Sequence, residues 1–185
     1  MNSNFMNSNF MNSNVTIRPM TEADTANIVR WRNTPSVYEH FIYRTPLTEE
    51  AHLNWLHNRV ETGDVAQFII VDNESGTDVG SVYLRDIDQQ HKKCEYGIFI
   101  GEDSCRGKGI GSAAAKLAID YAFKKLGMNR VFLRVFADNK QAIRSYEKAG
   151  FKYEGTYRDD VIIDGTPYDM VFMAILREEW EKGVK

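Results

Sequence analysis

Arg106-Gly107-Lys108-Gly109-Ile110-Gly111 places three glycines and two cations in six residues, directly ahead of an alanine-rich run from Ser112 to Ala122. Glycine lets the main chain turn sharply and admits a ligand close to the backbone. The first N–H groups of a helix that starts here have no intrahelical acceptor, and the helix dipole adds partial positive charge at that end. With the charges of Arg106 and Lys108, the stretch is an anion cradle. A pyrophosphate is the group it suits best.

The elements around it decide how the cradle is presented. Val15–Pro19 alternates as a short strand that Pro19 stops. Thr21 caps a helix running to about Asn33, and Pro35 forbids its continuation. A loop with Tyr38, His40, Phe41, Tyr43 and Arg44 leads to a second helix capped by Thr48, with Leu53, Leu56 and Val60 at helical spacing. Strands follow at 66–72, 78–88 and 93–100. A long helix then runs from the glycine stretch to about Leu126, ended by Gly127. Arg130–Phe136 has the near-continuous apolar character of a buried central strand. Lys140–Ala149 is a short helix stopped by Gly150. Two strands flank the Asp164-Gly165 turn, and Arg177 begins a charged C-terminal turn or helix. The pattern βααβββαβαββ predicts an α/β fold, one central mixed sheet of about seven strands with helices on its faces.

Three nucleotide-binding patterns compete for the glycine stretch. The Walker form needs a glycine where Glu102 stands and Ser or Thr where Gly109 stands, so it fails. The dinucleotide form is met literally from Gly109 to Ala114. However, its first glycine should leave the strand directly, and its acidic ribose partner ~20 residues on is replaced by Leu126-Gly127-Met128-Asn129. The third form, Arg/Gln-x-x-Gly-x-Gly/Ala, is matched by Arg106, Gly109 and Gly111. Downstream, a strand is followed by Asn139-Lys140-Gln141-Ala142, then Tyr146-Glu147-Lys148 and Gly150-Phe151. Two signatures in this order resemble the GNAT family of acetyl-CoA-dependent N-acetyltransferases, and the likeness covers Val15 to about Leu176.

The resemblance implies a GNAT fold whose sheet splays in the middle, with acetyl-CoA as co-substrate and no metal. It assigns the pyrophosphate to Arg106, Gly107, Lys108, Gly109, Ile110, Gly111 and Ser112. The pantetheine arm falls to Ile98, Phe99 and Ile100, with Asn139 as a further contact or simply a helix cap. We expect the bulge that opens this strand at Gly97. In the family's terms Tyr146 is the general acid for the departing thiolate. Glu95 is the candidate base, acting directly or through water, or a contact for a cationic acceptor. The acceptor pocket implied by the family draws on Arg32, Asn33, Tyr38, Tyr43 and Tyr157. Ribosomal-protein N-termini, polyamines and nucleotide-linked amino sugars are the acceptor classes the likeness leaves open. A small molecule leads, an amino sugar ahead of a polyamine, because Arg32 and Arg44 suit phosphates better than a polycation. A non-catalytic acyl-CoA sensor is the reading from another class.

The 185 residues carry 23 Lys and Arg against 26 Asp and Glu, a formal charge of −3. That mild acidity argues against non-specific nucleic-acid binding. Two cysteines are too few for a disulfide framework, which favours a reducing, cytoplasmic setting, and the four histidines show no metal-ligand spacing. His52 and His57, off a common helical face, are expected in solvent. No apolar run reaches ~18 residues, so no membrane span is expected. A homodimer is compatible with all of this. Residues 1–14 repeat MNSNF and read as a low-complexity tail, unable to pack a core, ahead of one domain at 15–182.

Overall fold

Alternating apolar residues build the sheet, and the alternation dictates which side chains reach the cleft. In the computed structural model, which describes residues 9–183, eight strands form one mixed sheet. They are β1 (Phe10–Met11), β2 (Val15–Pro19), β3 (Ala66–Asp72), β4 (Thr77–Asp88), β5 (Lys93–Ile100), β6 (Arg130–Phe136), β7 (Lys152–Ile163) and β8 (Thr166–Leu176). Their spatial order is β1-β2-β3-β4-β5-β6-β8-β7, antiparallel throughout except where β5 meets β6.

The helices are α1 (Thr25–Asn33), α2 (Pro35–Tyr38), α3 (Glu49–Trp55), α4 (Ile110–Lys124), α5 (Lys140–Ala149) and α6 (Arg177–Gly183). Asp24 accepts from the Thr21 N–H at 2.8 Å, the capping arrangement expected from sequence. Arg18 pairs with that carboxylate at 2.7 Å and with Asp78 at 2.7 Å. The predicted second helix reaches Val60 by a different route. After Trp55 the turns widen to π type over Leu56–Val60.

Helix α4 lies on one face of the sheet. Its Ala114, Ala115, Ala118 and Ala122 are small enough to bring the backbone down onto Phe68, Val82, Leu84 and Tyr96. The opposite face carries α1 and the α3 region, where Ile28, Trp31, Leu56 and Val60 pack with Ile69 and Phe99. Along β5, Cys94 and Tyr96 therefore face α4, while Phe99 faces α1.

The eighth strand corrects one expectation. Phe10 and Met11 lie in the stretch read as a tail that leaves the core, yet they pair with Ile17 and Thr16. The Phe10 ring packs edge-on against Tyr121 at 5.2 Å and Phe68 at 6.2 Å. A single aromatic is enough to dock a polar segment when the sheet edge offers it an apolar slot. The first repeat, within residues 1–8, lies outside the described residues. Among those described, no helix is long and apolar enough to cross a membrane.

Candidate active site

The β5–β6 ladder joins only Lys93–Glu95 to Arg130–Phe132. Beyond Glu95 the two strands part, leaving the β6-facing edge of Tyr96–Ile100 without a strand partner. A cleft of about 670 Å³ fills the gap, lined from α1 and the 40–43 loop, past β5, to the glycine loop and α5. The opening is not made by a bulge at Gly97, as the sequence suggested. The β4–β5 register runs unbroken through Tyr83↔Gly97, and its irregularity lies between Arg85 and Asp88. Gly97 instead makes room, because a Cβ there would overlap the Tyr83 ring.

The donor end is made of backbone. Gly107 and Gly109 adopt φ of 76° and 82°, where other residues are strained, and Gly109 caps α4 without a side chain. The first intrahelical bond runs from Ala113 N–H to Gly109 C=O, so the N–H groups of Ile110, Gly111 and Ser112 are left for a ligand. The two cations behave differently from expectation. Arg106 folds back to donate to the Ile100 carbonyl at 2.9 Å and pairs with Asp103 at 3.2 Å, so its charge fixes the loop. Lys108 is exposed, Ile110 is buried in the core, and neither side chain lines the cleft. Ser112 Oγ lies 3.0 Å from Ser145 Oγ, tying the first turn of α4 to α5.

Ile98, Phe99 and Ile100 all line the middle of the cleft, although the Ile100 carbonyl is already taken by Arg106. Asn139 caps α5 by accepting from Ala142 N–H at 3.1 Å, with its amide 3.4 Å from His40 Nδ1. Tyr146 projects from α5 into the lining, edge-on to Tyr96 and Phe151 with ring centroids 6.0 Å away in each case. Burial, and then the nearby Tyr83, push its hydroxyl pKa up, so it stays protonated at neutral pH. Its ring is held in place and its hydroxyl keeps its proton.

The acceptor end is made of side chains. Glu95 shares its face with Gly97 and sits opposite Arg85. Only 6% exposed, it takes Arg85 Nη2 at 3.0 Å on one oxygen and Arg134 Nε at 3.2 Å on the other. Burial alone would raise its pKa, but the two guanidinia outweigh that and hold it below the usual carboxylate range. A carboxylate so paired is a weak proton acceptor, which counts against Glu95 as a direct base. Arg32 enters the same space, stacked on Phe41 with 3.6 Å to the ring centroid.

The remaining predicted acceptor residues divide. Tyr43 lines the cleft and is 75% exposed. Asn33 lies outside the lining, where its amide donates to Leu47 C=O and accepts from Leu47 N–H, both at 2.8 Å. Tyr38 donates to the Arg44 carbonyl and closes its own loop. Tyr157 is stacked on Phe172 at 4.0 Å, beside Asp159 and Asp160 in a separate depression. His52 is buried rather than solvated, with Nδ1 3.1 Å from Thr25 Oγ1, while His57 is exposed between Glu22 and Glu61. Sequence reasoning missed Tyr83, Arg85 and Arg134. Counting register back from the 88–93 turn puts Asp86 opposite Glu95, and only the irregularity between Arg85 and Asp88 brings Arg85 there; nothing local marks Arg134.

Residues 14–152 match the sequence family described as acetyltransferase (GNAT) domain. YdaF of Bacillus subtilis (strain 168), whose name assigns it provisionally to ribosomal N-acetylation, is 36% identical over 106 residues, 57% of this chain and 57% of its own length. Spermidine N(1)-acetyltransferase of Escherichia coli (strain K12) is 29% identical over 166 residues, covering 90% of this chain and 88% of that one. The crystal structure of spermidine N-acetyltransferase from Vibrio cholerae in complex with CoA and spermine superposes with a TM-score of 0.85, over 92% of this chain and 99% of that chain, at 24% identity. With the splayed sheet, the uncapped glycine turn and the family match over most of its length, the chain belongs to the GNAT acetyltransferases and is an N-acetyltransferase.

Proposed function

We propose that the chain transfers the acetyl group of acetyl-CoA to the primary amine of a small molecule by direct attack on the thioester. The observation that carries this is the continuity of one cleft from the open N–H groups of α4, along the unpaired edge of β5, to Tyr146 and the Glu95 cluster. The helix N-terminus takes the pyrophosphate. Main-chain groups of Ile98 and Phe99 hold the pantetheine arm and orient the carbonyl; donors of that kind supply ~2.7–4 kcal/mol in a transition state. The amine nitrogen bonds to the carbonyl carbon, the C–S bond breaks as the Tyr146 hydroxyl gives its proton to the sulfur, and the proton that the nitrogen sheds on becoming an amide returns through water to the phenolate.

Glu95 positions Arg85 and Arg134 in this reading and is not the base. Their guanidinia disfavour an ammonium, so the amine reacts after losing its proton to solvent. The pH profile separates the two roles. If the amine must arrive neutral, kcat/KM rises about tenfold per pH unit below the amine's pKa of ~10. A flat profile between pH 6 and 9 would return Glu95 to the role of base.

Acetyl-CoA turnover followed by thiol release, against small amines and N-terminal peptides, tests the whole. Preference for a peptide would favour the second reading, N-terminal acetylation, which the YdaF likeness supports. CoA binding without turnover of any acceptor would leave an acyl-CoA sensor. The reading also places the chain in the cytoplasm, where acetyl-CoA is made and thiols such as Cys105 stay reduced.

A further inference from the structure

Charge is unevenly matched along the cleft. The lining carries Arg32, Arg85, Arg106, Arg134, Arg144 and Lys148 against the single carboxylate of Glu95. At the acceptor end Glu95 is already shared by Arg85 and Arg134. Arg32 has no such partner: among the described residues no carboxylate pairs with it, and its buried Nε makes no hydrogen bond. Burial pushes its pKa down, and the neighbouring Arg85, of the same sign, acts the same way, while Tyr83 opposes them.

Arg32 is also held in a fixed place. It sits one residue before the end of α1, where the adjoining Trp31 is fully buried and Asn33 is pinned to Leu47. Phe41 supports the flat face of the guanidinium at 3.6 Å. Arg32 is partly buried, its Nε is cut off from water and no carboxylate pairs with it, which is costly unless something arrives to pair with it. Its planar fork suits a carboxylate or a phosphate, which it can grip through two parallel N–H bonds. A polycation entering here would meet three guanidinia and one carboxylate with both oxygens engaged.

We propose that the acceptor carries an anionic group, carboxylate or phosphate, on the same small molecule as its amine, and that Arg32 grips that group while the amine points along β5 toward Tyr146. This rests on the small-molecule reading above and sets the chain apart from the polyamine acceptor named for its E. coli relative.

The test uses the full chain, saturating acetyl-CoA and thiol release, with amines matched in skeleton. These are 6-aminohexanoate, 6-aminohexyl phosphate, hexylamine and 1,6-diaminohexane, then glucosamine beside glucosamine 6-phosphate, and spermidine. The carboxylate and phosphate arms distinguish the two anions. At least one anionic amine should exceed its neutral and cationic partners by ~10–100-fold in kcat/KM, the range expected of a charge-assisted contact. Arg32→Gln should erase that advantage while the CoA affinity stays, and Arg32→Lys should restore part of it. Should Arg32→Gln fail to fold, competitive inhibition of the wild type by hexanoate but not by hexylammonium carries the same information. Spermidine or 1,6-diaminohexane outrunning every anionic amine would overturn the inference and leave the small-molecule reading standing. Turnover of no amine, with CoA still bound, would bring down both.

Discussion

The two ends of the cleft are built from different material. The donor end is main chain: open N–H groups of α4, two left-handed glycines, and a strand edge with no neighbour. Its cations point away or are spent on the loop itself. The acceptor end is side chain, with Arg32 from α1, Tyr83 and Arg85 from β4, Glu95 from β5 and Arg134 from β6. A site made of backbone needs a particular local conformation, so it must write glycines at fixed spacing. A site made of side chains from four elements needs only that the sheet bring them together. Relatives can share the first without sharing the second.

Several substitutions would break or sharpen that contrast. Tyr146→Phe removes the hydroxyl proposed above as proton donor where the two ends meet, and should lower kcat by ~10²–10⁴ with CoA affinity retained, as read by turnover and calorimetry. Glu95→Gln leaves Arg85 and Arg134 without their shared counter-charge. Both arginines are partly exposed, so about 2–3 kcal/mol of stability should go, ~4–10 °C in Tm at pH 7. The folded carboxyl stays ionised where the unfolded one would take up a proton. Its contribution is therefore complete above pH about 4.5 and fades as pH falls further, and the Tm gap between wild type and variant should narrow there.

Two glycines then separate the ends directly. Gly97→Ala intrudes on Tyr83 and should raise the acceptor KM about tenfold with little change in CoA affinity. Gly109→Ala puts a side chain at φ 82°, which costs ~1–2 kcal/mol, and should weaken CoA about tenfold while sparing the acceptor KM. The same phenotype from both would mean that the ends are not separable. The smallest effect belongs to neither end. Phe10→Ala should lower stability by ~1–2 kcal/mol through lost packing on Phe68 and Tyr121, with kinetics unchanged.

Most of the architecture was legible because periodicity carries it. The strand alternation, the Thr21 and Thr48 caps, and the glycines closing α4 and α5 each have a local physical cause. Phe10 was missed since two residues make no periodic pattern. Gly97 was read as a bulge because a strand glycine looks the same whether it bends the strand or admits a neighbour's ring. Asn33 and Tyr38 have the right chemistry for substrate contact but use it on their own loop. Arg134 alternates with buried Leu133 and Val135, a pattern shared by any half-exposed strand. Nothing nearby announces that Glu95 waits across the sheet.

A sheet also has edges to protect, since an unpaired strand invites another chain. The outer ones here are blunted. One ends in the two-residue β1, and the other is β7, which is charged and twice breaks register against β8. The splay makes a third edge in the middle of the molecule, along Tyr96–Ile100. It escapes aggregation because α1, α5 and the 40–43 loop wall it in, leaving a slot that an extended thread can enter and a second β-strand with its side chains cannot. Seen this way, the active site is an interior edge whose dimensions choose what may complete the sheet.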